Sequence, residues 1–207
     1  MLHRESRIVT AEVRLAKRAD GKTVIRGHSA LFNVFSEMMW GFREQIAPGA
    51  FSDCIGPDAD VCSLFNHEPD NVLGRTPRTL TLSEDNTGLM METDPADTQC
   101  ARDCVTLIDR GDVKGQSFSF SMDYDDNAAE TWDYEGDIVT RTIRKISRLW
   151  DVGPVTFPAY PTTDVAVAQR MLVPDDLKRR AESFRKSIEK EGRSVDFARR
   201  RLAFTGR

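Results

Sequence analysis

The stretch KGQSFSFSM, Lys114 to Met122, alternates small polar and aromatic residues. In an extended chain Ser117, Ser119 and Ser121 share one face and Phe118 and Phe120 the other. A serine hydroxyl attacks a carbonyl only when a neighbouring base takes its proton. Histidine suits that task because its pKa lies near working pH. A carboxylate that fixes the histidine tautomer and stabilises the imidazolium completes the set. The chain has three histidines, His3, His28 and His67. His3 lies at the terminus, and His28 sits inside a strand pattern, where a structural role is the default. His67 ends an apolar strand and opens the polar loop NHEPDN, a place where scaffolds carry reactive groups. These residue types alone leave two readings open. One is a half-buried strand with a solvated serine face, and the other is a serine nucleophile for acyl transfer.

Metal chemistry has weaker support. Cys62 lies near His67, and Cys100 and Cys104 are four apart, but no CxxC knuckle of the kind zinc sites favour occurs among the four cysteines, Cys54 being the other. Cys100 and Cys104 fit the buried face of a helix, and core packing of reduced thiols is the expectation.

The elements that must position such groups are strand-rich. The 207 residues are 40% hydrophobic and 30% charged, enough for one core with an appendage. Two strands are expected in the first 35 residues, IVTAEVRLA and TVIRGHSALFNVF. A short helix is expected from about Ala50, and a strand at DVCSLFNH. RTLTLSEDNTGLMMETD reads as a hairpin. ADTQCARDCVTLIDRGD is the best helix, with Ala101, Cys104, Val105 and Ile108 on one face and Gly111 past its end. The serine strand follows, then a hairpin turning at Glu135 and Gly136, then GPVTFPAYP. The fold class read from this order is α+β, a small strand-rich barrel with flanking helices.

Charge divides the chain. Residues 171–207 carry 11 Lys and Arg against 6 Asp and Glu, a net +5, which leaves the first 170 residues at −9. The division expected is a body over 1–170 and a basic helical tail over 171–207. Pro174, Asp175 and Asp176 suit a helix start, and Gly192 suits its stop, so a helix is expected over about 174–191 and a shorter one from Ser194 to about Leu202. Leu177, Ala181, Phe184 and Ile188 form a thin stripe suited to docking on the body, on a partner helix or on a second copy. An acidic body argues against nucleic-acid binding. No apolar run approaches the roughly 20 residues a membrane span needs, and the first residues hold no secretory leader. The reading is a soluble, intracellular protein.

Taken in order, GHSALFNVFSE, FREQIAPGAF, SLFNHEPDNVLGRT, LTLSEDNTGLMMETD, LIDRGDVKGQSFSF and LWDVGPVTFPAYPTTDVAV resemble the prohead (procapsid) maturation proteases of tailed bacteriophages and related prophage or gene-transfer particles. The resemblance covers roughly residues 7–168. It implies a fold similar to the herpesvirus assemblin proteases. It implies a serine endopeptidase that removes scaffold sequence from the capsid protein inside the immature shell and then degrades itself. The motif positions imply His67 as general base and Ser117 as nucleophile. Asp151, in LWDVGPVTFPAYP, is the implied third member, with His28, Asp123 and Asp125 as alternatives. Two positions depart from the family pattern. Ser119 stands where a glycine is common, which makes it a rival nucleophile, and Gly153-Pro154 replaces small apolar strand residues, which points to a strand edge or bulge. The implied partners are the major capsid protein with its scaffold segment and a second copy of the chain, with no metal, cofactor, membrane or nucleic acid needed. The implied place is the host cytoplasm, inside the prohead. A non-catalytic assembly protein of the same fold is the alternative.

Overall fold

The computed structural model describes residues 4–9, 12–38, 41–135, 138–157 and 175–204. The chain is α+β, with twelve strands in three sheets and two helices among these residues. The largest sheet carries the site. Its order runs β1 (Arg4–Val9), β9 (Gly115–Ser121), β12 (Arg148–Val155), β5 (Cys62–Leu64) and β6 (Val72–Arg75). A second sheet joins β2 (Arg14–Lys17), β3 (Thr23–Leu31), β8 (Gly88–Thr93) and β7 (Leu80–Glu84). The third holds β10 (Glu130–Glu135), β11 (Ile138–Ile143) and β4 (Phe42–Ile46). No sheet closes on itself among the described residues, so the barrel expected from the strand count is instead three open sheets around a shared core. Closure requires the last strand to pair with the first, and the large sheet ends at β1 and β6.

Several local expectations are met. The hairpin β7–β8 pairs Leu80 with Thr93 and Glu84 with Leu89. Helix α1 (Gln99–Arg110) starts at Thr98, whose side chain accepts from Ala101 N, and stops at Gly111 in the left-handed conformation, φ 78°. Its Ala101, Cys104 and Ile108 are buried. Cys54 and Cys104 both pack in the core, where burial pushes each thiol up to about 12.

Other expectations are corrected. IVTAEVRLA is not one strand: β1 ends at Val9, and β2 begins at Arg14 in a different sheet. The segment from Ala50 is a run of turns, not a helix. Its bonds are of the three-residue kind, Ala50 N to Ala47 O and Cys54 N to Phe51 O, while Glu84 Oε1 takes the Phe51 N–H. The serine strand is buried on both faces, not solvated on one. Phe118 and Phe120 stack at 5.3 Å on the core side, and Phe51 meets Phe118 edge-on at 5.6 Å. Each such ring contributes about 1.5–3 kcal/mol by burial.

Helix α2 (Asp175–Phe204) runs on through Gly192. One interior glycine costs only about 1 kcal/mol relative to alanine, too little to stop a helix by itself. Pro174 lies outside the described residues. Leu177 and Ala181 are buried against Phe42 and Val139 of the third sheet, with Trp132 and Phe184 packed beside them. The stripe therefore docks on the body, as a thin stripe can.

Beneath the sheets lies a buried ionic cluster. Arg141 is wholly buried and gives hydrogen bonds to Glu5 (3.1 Å), Glu44 (2.6 Å) and Glu130 (2.7 Å). Arg7 bonds Glu44 at 2.6 Å and Glu5 at 2.5 Å. Arg180 of α2 reaches Glu130 at 2.5 Å. Three carboxylates thus face three guanidinium groups, which is how buried charge becomes tolerable. Burial opposes ionisation of Glu5, but Arg141 and Arg7 outweigh it and hold the carboxyl at about 2, against an ordinary 4.5.

The folded pKa of Glu5 lies below the unfolded one. Its contribution, about 3 kcal/mol, is therefore complete above pH 4.5 and is lost as pH falls from 4.5 towards 2. Thermal unfolding against pH should show a flat region above 4.5 and a steep decline below it. Glu5→Gln should flatten that decline, and an identical slope in the variant would remove Glu5 as its source.

Candidate active site

Three strands and one loop place the reactive groups. Ser117 and Ser119 stand on β9, Asp151 on the neighbouring β12, and His67 in the turn that leaves β5. The register sets Ser117 opposite Gly153 and Ser119 opposite Asp151, and β5 runs parallel to β12 with Cys62 beside Asp151. His67 is brought over β12 by a tight reversal in which Asn66 (φ 57°) and His67 (φ 60°) are both left-handed. Such backbone costs of order 1–3 kcal/mol per non-glycine residue and persists only where the surroundings hold it. Asn66 supplies that hold. Its N–H donates to Pro154 O (3.0 Å), its Nδ2 to Thr156 Oγ1 (3.1 Å), and its Oδ1 accepts from Thr156 N (2.9 Å).

Gly153 permits the same closure. A Cβ at this position would lie 2.0 Å from the backbone oxygen of Leu64, on the strand that leads to His67. A small apolar side chain therefore has no room here. The register shift in β12 falls between Leu149 and Asp151 rather than at Pro154. Pro154 instead lies past Val152, where β5 has stopped pairing, so its missing N–H breaks no ladder on that side.

The structure brings His67, Ser117 and Asp151 into one line. His67 Nε2 is 2.5 Å from Ser117 Oγ, and His67 Nδ1 meets Asp151 Oδ1 in a short contact. Asp151 is buried, and its second oxygen receives Arg4 Nη2. Ser119 Oγ lies 3.2 Å from His67 Nδ1, the nitrogen that faces the carboxylate. With the Nδ1 proton directed at Asp151, Nε2 is the basic nitrogen, and of the serines on β9 it is Ser117 that addresses it. Ser121 accepts from Trp150 Nε1 at 2.9 Å.

The remaining candidates are engaged elsewhere. His28 bonds both carboxylate oxygens of Asp85, at 2.9 and 3.1 Å. Asp123 accepts from the Asp125 N–H within a local turn. His3 lies outside the described residues. Asn66 and Arg4 were missed in the sequence. A residue that takes left-handed backbone is suggested by asparagine before a polar loop, but its grip on Thr156 spans 90 positions. No group of three or more His, Cys, Asp and Glu suited to a metal occurs among the described residues.

An α+β scaffold carrying hydroxyl, imidazole and carboxylate in one hydrogen-bonded line has the groups that serine hydrolases use for acyl transfer. Residues 9–175 match the family of caudovirus prohead serine proteases, and the chain belongs to that family. Neither the curated proteins nor the solved structures contain a match to it.

Asn66→Ala should lower the cleavage rate about 10-fold, because three hydrogen bonds that fix the His67 turn are reduced to one. The fall should lie in kcat rather than KM. Steady-state kinetics on a peptide substrate check this, and a change confined to KM would assign Asn66 to substrate binding instead.

Proposed function

We propose that this chain is a serine endopeptidase of capsid maturation, with Ser117 as nucleophile, His67 as general base and Asp151 as the third member. The observation that carries the reading is the double engagement of His67, with Nε2 on Ser117 and Nδ1 on Asp151. Ser117 Oγ attacks the scissile carbonyl carbon while its proton passes to Nε2. Asp151 stays ionised and stabilises the imidazolium through Nδ1–H. The tetrahedral intermediate collapses as Nε2 protonates the leaving amine, which leaves an acyl-serine. Water then attacks, gives its proton to Nε2, and releases the acid and the serine. Every proton in the cycle is handled by these side chains and water, so the scheme calls on no metal or cofactor.

Family membership supports the substrate, a capsid protein with its scaffold segment, and the place, an immature shell within the host cell. The protease also acts on itself, as a dimer with an assemblin-like arrangement of strands. Residues 1–170 form the protease domain, and residues 171–207 are a tail that addresses it to the shell. Deleting residues 171–207 should abolish packaging while peptide cleavage persists; normal packaging of the shortened chain would dismiss the address. The peptide readout is needed because Leu177 and Ala181 also cover Phe42.

The test of the main reading is co-expression with the capsid protein encoded beside it, as wild type and as Ser117→Ala, followed by gels and intact mass. Trimming in the wild type that is absent in the variant supports the protease. Shells that assemble with no trimming in either would favour a non-catalytic assembly role.

A further inference from the structure

We infer that the N-terminal strand β1 is a built-in restraint on the nucleophile, and that Ser117 becomes reactive when β1 leaves the edge of β9. The inference rests on the reading of Ser117 as nucleophile. A serine hydroxyl has one proton, and here two acceptors compete for it. His67 Nε2 lies 2.5 Å from Ser117 Oγ, and the backbone oxygen of Arg7, on β1, lies 2.7 Å from it. A proton donated to Arg7 O is not in line for transfer to the imidazole. A proton donated to Nε2 leaves two oxygens facing each other at 2.7 Å with nothing between them. Either way the docked strand opposes the general-base step.

β1 acts on the other end of the line as well. Arg4 sits on the second oxygen of Asp151 and draws on the negative charge that would stabilise the imidazolium. Ser117 itself is 0% exposed, so a peptide carbonyl cannot reach it until something moves.

Three features mark β1 as the element that moves. Among the described residues it is an edge strand whose sheet neighbour is β9, with Ile8 opposite Ser117. Its two buried charges, Glu5 and Arg7, are opposite in sign. Their departure leaves Arg141 and Arg180 against Glu44 and Glu130, a balanced set. The family match begins at residue 9, so all but the last residue of β1 lie outside it. The edge β1 vacates would offer unpaired backbone groups of β9, which an extended peptide can pair with.

The experiment keeps the full chain. Arg4→Cys with Ser121→Cys places two thiols at directly paired positions of β1 and β9. The same preparation is then assayed oxidised and reduced for covalent labelling of Ser117 by a fluorophosphonate, with intact mass and peptide mapping to verify the new disulfide. Labelling should be at least about 10-fold slower in the oxidised form and recover on reduction. A chain lacking residues 1–9 should label at least as fast as the reduced form. Equal labelling, oxidised and reduced, overturns the restraint and leaves the nucleophile in place. Absence of label at Ser117 in every form, with wild type included, overturns the nucleophile and the restraint together.

Discussion

Ser117→Ala is expected to lower capsid-protein cleavage by at least about 10⁴-fold, and His67→Ala by a similar factor. The double variant should be no worse than either single one, because hydroxyl and imidazole act as one device rather than two. Asp151→Asn should also cost about 10⁴-fold, since an amide facing Nδ1 favours the wrong tautomer. Ser119→Ala should cost less than about 10-fold, because its hydroxyl addresses Nδ1 at 3.2 Å and not the basic nitrogen. The contrast between Ser117 and Ser119 decides the matter, since both are buried serines on one strand face. Rates on a peptide spanning the capsid-protein processing site measure it, with thermal melts to show that each variant folds. Retained cleavage in Ser117→Ala together with lost cleavage in Ser119→Ala would transfer the nucleophile.

Arg141→Ala is expected to destabilise the fold by about 3–5 kcal/mol, measured by urea unfolding. The guanidinium bonds three buried carboxylates contributed by β1, β4 and β10. Its removal leaves Glu5, Glu44 and Glu130 with only Arg7 and Arg180 among the cluster's cations. Arg141→Lys should recover part of the loss but not all, since an ammonium is a point charge and cannot span three separate carboxylates in one plane. A loss below about 1 kcal/mol for the alanine variant would mean that water or rearranged side chains satisfy the three carboxylates.

Local patterns were readable in the sequence, and long-range ones were not. The β7–β8 hairpin and helix α1 declare themselves within about 15 residues, through alternation, a turn, an N-cap threonine and a terminal glycine. His67, Ser117 and Asp151 were placed by motif resemblance, because no spacing rule connects residues 50 and 84 positions apart. Burial of the serine face stayed undecided because alternation reports two chemically different faces and not whether each meets water. The ionic cluster left no local signal. Arg141 and Glu5 are separated by 136 positions, and in the sequence both look like ordinary surface charges. The turns after Ala50 deceived for a related reason: the Phe51 N–H is held by Glu84, 33 residues away, a contact that no local pattern announces.

The wide sequence separation of the site has a temporal side. Closing long loops is entropically costly, so contacts between distant residues form late in folding. During synthesis the chain emits β1 first and β12 near the end of the body. Asp151 lies on β12, the last strand of its sheet to be made, and His67 has no support until Thr156 has been made. β1, though first out, has no edge to join until β9 is in place. The covering strand therefore has its place as soon as β9 is made, before Asp151 and Thr156 complete the proposed reactive line. A chain that stops short of β12 has the cover without the line, so on the proposed reading a nascent chain cannot cut its surroundings before its body is complete.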